Sequence, residues 1–120
     1  MRVLIVESDP DLGRIWQRHM ERLGASVILA LDQRSAIHAL RMNEFEIIVL
    51  DLVLAEGAAL AIADFASYRR PKARVIFVTN TSFFSDGSIF SYSANACAFV
   101  QSNTPPQDLA AMVEHYADAP

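Results

Sequence analysis

Cysteine occurs once in this chain, at Cys97, so no internal disulfide can form, and such usage fits a reducing compartment. Long hydrophobic runs are also missing: nothing approaches the roughly 20 apolar residues that a membrane span needs. Residues 1–6 read as a strand, with no signal-peptide stretch and no small-residue cleavage site. A cytoplasmic setting without membrane contact is the expectation. Cationic clusters are scarce, and the nearest is Arg69-Arg70-Pro71-Lys72-Ala73-Arg74. A nucleic-acid surface needs a larger, one-sided footprint, so no direct nucleic-acid partner is expected. Arg69 and Arg70 fit better beside a negative helix terminus. Three scattered histidines and one cysteine do not make a zinc site. Internal repeats, low-complexity tracts and linkers are absent, and no output domain is expected after the last helix.

What remains is a chain of 120 residues, about half of them apolar, enough for one domain with one ordinary core. Its strongest signal is Ile47-Ile48-Val49-Leu50 running into Asp51. An apolar run without alternation marks a strand buried on both faces, as in a parallel sheet covered by helices. A carboxylate that ends such a strand emerges at the carboxyl edge, where open α/β folds place their chemistry. Two more strands end in polar groups: 2–6 runs into Glu7, and Val75-Ile76-Phe77-Val78 runs into Thr79.

Strand and helix signals alternate along the chain. Asp9 caps and Pro10 opens a first helix, with Leu12, Ile15, Trp16, His19, Met20 and Leu23 along one stripe, and Gly24 as a left-handed stop. A strand over 26–31 and a helix over 33–42 follow, with Ala36, Ile37 and Leu40 inward. After the third strand (46–50), a helix over 58–69 is expected to carry Ile62, Phe65 and Ala66 on one face. The spacing then predicts strands at 74–78 and 98–101, and a last helix opened by a capping box at Thr104-Pro105-Pro106-Gln107. Alternation alone asks for a further helix over 86–94, although the serine- and phenylalanine-rich stretch 80–93 is a poor helix former.

Taken in order, these segments resemble the receiver domain of two-component response regulators, over essentially the whole chain. Val3-Leu4-Ile5-Val6-Glu7-Ser8-Asp9-Pro10 matches the segment with the family's acidic pair. Glu46-Ile47-Ile48-Val49-Leu50-Asp51 matches the phosphoacceptor segment, and Val75-Ile76-Phe77-Val78-Thr79 the hydroxyl segment. Ala94-Asn95-Ala96-Cys97-Ala98-Phe99-Val100 is similar to the approach to the fifth strand. The resemblance implies an α/β, doubly wound, flavodoxin-like single domain over 1–120, with five parallel strands in the order 2-1-3-4-5.

It also implies roles. Asp51 would accept a phosphoryl group from a histidine kinase or phosphotransfer protein, and Thr79 would contact that group. Mg²⁺ would be held by Glu7, Asp51 and the Val53 carbonyl, with Asp9 as a substitute ligand set against its role as helix cap. Phe99 falls on the aromatic switch position. Phe83 and Phe84, with Phe90 and Tyr92, crowd the face expected to meet a downstream protein target, and a homodimer is left open. The expected output is stand-alone signalling, not turnover catalysis.

The chain departs from the family at several of these positions. Ser8 stands on the second acidic position, so Mg²⁺ binding is expected to be weak. Ser102 stands on the lysine position, followed by Asn103 where proline is usual. Ala55 replaces a proline in the loop after Asp51, Gly57 is offset from the usual glycine, and Asn80 adds bulk beside Thr79. These departures motivate a second assignment, a degenerate receiver that binds partners without phosphorylation. A small phosphatase using Asp51 as nucleophile is the third, and is disfavoured because Val53 occupies the place of its acid/base. Flavodoxin-like cofactor binding is disfavoured too, since no glycine- or hydroxyl-rich phosphate loop follows the first strand. Ser8 and Ser102, with no adjacent base, read as inert space.

Overall fold

Apolar runs without alternation become strands buried on both faces. A computed structural model describes residues 1–79 and 94–118. In chain order the elements are β1 (Arg2–Val6), α1 (Pro10–Glu21), β2 (Ser26–Ala30), α2 (Gln33–Met42), β3 (Ile47–Asp51), α3 (Ala59–Arg69), β4 (Arg74–Thr79), β5 (Ala96–Gln101) and α4 (Pro106–Asp118). The five strands are parallel and ordered β2-β1-β3-β4-β5, as expected. The helix expected over 86–94 lies almost wholly outside the described residues, as do Asn80, Phe83, Phe84, Phe90 and Tyr92.

Each central strand feeds two cores, because successive side chains point to opposite faces. Leu4, Val6, Ile48, Leu50, Val75 and Phe77 pack under α2 and α3, against Ala36, Leu40, Ile62 and Ala66. Val3, Ile5, Ile47, Val49, Ile76 and Val78 pack under α1 and α4, against Trp16, Met20, Leu109 and Val113. Each such aliphatic side chain contributes about 1.5–3 kcal/mol when fully buried. The two layers therefore fix β1, β3 and β4 side by side with little freedom to slip.

Helix ends follow their sequence signals closely. The Asp9 carboxylate accepts from the amides of Asp11 (3.0 Å) and Leu12 (3.4 Å), with Pro10 in the first turn. Gly24 takes a φ of 92°, the left-handed conformation that glycine reaches without strain. Helix α4 begins at Pro106, one residue later than a Thr104 cap would place it, and the Pro105 carbonyl accepts from Leu109.

One packing expectation needs correction. The inward face of α1 is Gly13, Trp16 and Met20, while Ile15 and Leu23 are 41% and 42% exposed. Gly13 brings the backbone of α1 close to β2: a Cβ there would sit 2.7 Å from Leu29 Cδ1, the movable end of that side chain. In α2, Ala36 and Leu40 are buried and Ile37 packs half-buried against the same core, as expected, with Ala39 buried beside them. In α3 the buried residues are Ala59, Ile62, Ala63 and Ala66, and Phe65 stays half-buried beneath the Arg41 guanidinium, 5.5 Å from the ring centroid.

The arginines after α3 lie near a negative helix terminus, as expected, but it is that of α2. Arg70 Nε donates to the Leu40 carbonyl (2.9 Å), and both Arg69 and Arg70 donate to that of Arg41 (3.2 Å each). Those carbonyls belong to the last turn of α2, where no intrahelical partner exists.

Candidate functional site

Sequence order alone scatters Glu7, Asp51 and Thr79 along the chain; the sheet gathers them. Val6 pairs with Leu50, so Glu7 and Asp51 are the next residues on neighbouring strands, on the order of 5 Å apart at the backbone. Asp51 in turn pairs with Val78, directly before Thr79. Among the described residues these three are the buried polar or charged side chains, with relative exposures of 3%, 8% and 0%. Such burial is rare for acids without a partner. Alternation puts Glu7 and Asp51 on the same face, whereas Thr79 shares the face of Phe77. Thr79 thus ends β4 beside the acid pair in register but on the other face of the sheet.

Hydrogen bonds hold each acid only in part. Glu7 Oε1 accepts from the Asp9 amide (3.0 Å), and Oε2 is buried with no hydrogen bond of acceptable geometry. Asp51 Oδ1 accepts from the Val53 amide (2.8 Å). The Leu52 amide donates to the Val78 carbonyl (2.8 Å), tying the start of the following loop to β4. The Glu7 carboxyl is pushed up to about 8, first by burial, then by the Asp51 carboxylate, toward which a protonated Glu7 can donate. At neutral pH the pair therefore carries a proton that a cation could displace.

The donor set bears on a metal directly. Among the described residues no cluster of three or more His, Cys, Asp or Glu side chains gathers. A cation here would rely on the two carboxylates, backbone carbonyls and water. Those are hard oxygen donors, and magnesium typically uses one or two carboxylates and keeps several waters. Glu7 Oε2, buried without a hydrogen bond of good geometry, is an atom that a cation would satisfy. The residues present thus fit a hard divalent ion held with few protein ligands.

Solved structures bring a fold name to this arrangement. A CheY-like response regulator receiver domain protein from Methanospirillum hungatei superposes with a TM-score of 0.87 at 24% identity, covering 98% of this chain and 93% of that one. The chain has the response-regulator receiver fold. The non-phosphorylated HemR receiver domain from Leptospira biflexa gives a TM-score of 0.87 at 22% identity, over 99% of this chain and 95% of that one. A response regulator from Burkholderia pseudomallei, solved with a phosphorylated aspartic acid, calcium ion and citrate, gives 0.81 at 18% identity, over 98% of this chain and 72% of that one. No protein-family model matches the chain, and no curated protein sequence does. Within the receiver fold, Asp51 ends β3 and Thr79 ends β4.

The other expected residues take definite places. Asp9 is exposed, and its Oδ1 is engaged as the cap of α1. Val53 presents its amide to Asp51 and an exposed side chain to solvent. Phe99 pairs with Phe77 across β4 and β5 and packs, half-buried, against the α2–α3 core. Ser102 donates its amide to the Thr79 carbonyl (2.7 Å), joining the two strand ends. Ser8 is not inert space: its Oγ accepts from the Ala55 amide (3.2 Å). Gln33 escaped the sequence altogether. Its Oε1 accepts from the Ala58 amide (2.8 Å), and no local pattern signals a contact between residues 25 positions apart.

Proposed function

We propose that this chain is a receiver in a two-component phosphorelay, with Asp51 as phosphoacceptor. The observation that supports it best is the adjacent pair of buried carboxylates, Glu7 and Asp51, at the carboxyl edge of a receiver-type sheet. Nothing in ordinary packing rewards two acids placed together away from solvent, whereas nucleophilic carboxylate chemistry needs them.

Asp51 Oδ2, the oxygen that the Val53 amide does not engage, would attack phosphorus. The new O–P bond forms as the bond from phosphorus to the donor's leaving atom breaks, and the donor leaves with that electron pair. The Val53 amide fixes the carboxylate rotamer through Oδ1. Glu7, whose carboxyl is pushed up to about 8 by burial, would release its proton on holding a cation. Thr79, which follows the β4 partner of Asp51, would contact the transferred group. Magnesium, when bound, would neutralise charge on the equatorial oxygens. Glu7, Asp51 and the Val53 carbonyl would hold it, weakly because Ser8 brings no charge.

The phosphoryl source would be a histidine kinase or phosphotransfer protein, and the output a protein target reached through the surface around β5 and α4. Phe99 and, outside the described residues, Phe83 and Phe84 are the aromatic candidates for that output. Among the described residues no helix is long and apolar enough to cross a membrane. Incubation with acetyl phosphate and magnesium tests the assignment by intact-protein mass spectrometry. One phosphoryl adduct is expected, lost in Asp51→Asn. Absence of any Asp51-dependent adduct, with small donors and with kinases alike, refutes it.

A second assignment draws support from Ser8, whose hydroxyl is turned to the Ala55 amide. A site with one acid fewer suits a module that recruits partners without phosphorylation. Under that assignment Asp51→Asn leaves partner binding and signalling intact, which distinguishes the two.

A further inference from the structure

The loop that leaves Asp51 is held at its start by the Leu52 amide on the Val78 carbonyl and by Leu52 and Leu54 packed against the α2–α3 core. Its second half has little of its own to hold it. Residues 52–58 read Leu-Val-Leu-Ala-Glu-Gly-Ala, with no proline to stiffen them and a glycine that frees the backbone. The cap residue of α3, Ala58, has no side-chain hydrogen bond to offer. Yet the loop is tied at two points by side chains from other elements. From the β1–α1 turn, Ser8 Oγ accepts from the Ala55 amide at 3.2 Å, across 47 residues. From the first turn of α2, Gln33 Oε1 accepts from the Ala58 amide at 2.8 Å, across 25 residues. Gly57 lies between them with a φ of 90°, and a Cβ there would run into the Gln33 side chain.

We propose that Ser8 and Gln33 form a two-point clamp on the β3–α3 loop, which makes both of them positioning residues for phosphoryl transfer to Asp51. The role in transfer rests on the phosphoacceptor assignment above; the clamp itself rests only on the geometry. The link to the nucleophile is short. The amide that holds Asp51 Oδ1 belongs to Val53, the second residue of the same loop. Releasing Ala55 and Ala58 lets Val53 drift and takes the carboxylate rotamer with it. Ser8 is thus a loop anchor and not merely a lost charge. The fold organises this loop with neutral side chains, before any cation arrives.

The test measures acetyl-phosphate-dependent phosphorylation of the whole chain, by intact mass, at limiting and saturating donor. Ser8→Ala and Gln33→Ala are each expected to lower the saturating rate by about tenfold, within what small misplacements of a reacting group do. The donor concentration for half-maximal rate should change little. Ser8→Thr and Gln33→Glu, which keep an acceptor oxygen, should recover most of the rate. Amide hydrogen exchange without donor supplies a separate readout. Ala55 exchange should quicken in Ser8→Ala and Ala58 exchange in Gln33→Ala, while Val49 in β3 stays protected and reports an intact sheet. Unchanged exchange at Ala55 and Ala58 overturns the clamp. Quickened exchange with wild-type rates overturns the positioning role and leaves the phosphoacceptor assignment standing. A wild-type protein that takes no phosphoryl group at all overturns both that assignment and the role in transfer, and the exchange data alone then decide whether the clamp exists.

Discussion

Replacing Glu7 by Gln should make the protein more stable at alkaline pH while removing much of its pH dependence. Glu7 normally titrates near 4.5 and here near 8, because burial and the Asp51 carboxylate both oppose its ionisation. The native state therefore holds a proton that the unfolded chain has released at any pH between those values. Stability contributed by this group falls as pH rises from about 4.5, and the full penalty is present above about 8. At about 1.36 kcal/mol per unit, the shift sets a ceiling of about 5 kcal/mol. Water entry and side-chain relaxation reduce this, so a loss on the order of 2 kcal/mol between pH 5.5 and 8.5 is the working expectation. Glutamine keeps an Oε1 for the Asp9 amide and turns an NH₂ toward Asp51, so the variant loses no acceptor. Urea unfolding at several pH values in the presence of chelator gives the comparison. Other titrating groups are common to both proteins and cancel. Magnesium should restore stability to the wild type at high pH, by about 2.7 kcal/mol at a hundredfold excess over Kd, and much less to Glu7→Gln. Parallel stability–pH curves for the two proteins would refute the assignment of a buried, proton-holding acid.

Other perturbations act on single contacts. In Asp51→Asn the Glu7 carboxyl should titrate lower than in the wild type yet remain above 4.5, since burial persists; carboxyl carbon NMR reads it, and an unchanged midpoint would mean the two acids do not interact. Asp9→Ala removes the cap of α1 and should lower stability by about 1 kcal/mol in urea unfolding. Trp16→Phe should be nearly neutral, within about 1 kcal/mol, although Trp16 is fully buried. Its Nε1 has no hydrogen-bond partner, and deleting an unsatisfied donor offsets the lost packing. A loss of 3 kcal/mol or more, the range of about 3–5 kcal/mol typical of aromatic truncation, would show that the indole is satisfied after all.

Much of the fold was legible because the three central strands are written as unbroken apolar runs, and sheets covered on both faces leave few other ways to use them. Asp9-Pro10 and Gly24 marked the ends of α1 for equally local reasons. Strand β5 starts at Ala96, two residues before its expected start. Ala96 and Cys97 carry little strand signal, and the register with β4 shifts between Val75 and Ile76, opposite Cys97. The face of α1 was misjudged because hydrophobic periodicity counts side chains, and Gly13, which lies on the inward face, has none. The acids of the site could be found as strand ends. The ties made by Ser8 and Gln33 could not, nor could the particular helix end that Arg69 and Arg70 meet, since each joins a side chain to a backbone group on a different element, and no spacing rule describes that.

The arginine ties have a consequence for what the surface offers its surroundings. The run 69–74 is the densest positive charge in the sequence, and as a bare string it would invite a polyanion. Folding turns the Arg69 and Arg70 guanidinium groups onto the carbonyl oxygens that finish α2. An approaching phosphate chain would meet guanidinium groups whose donors are already partly engaged by those oxygens.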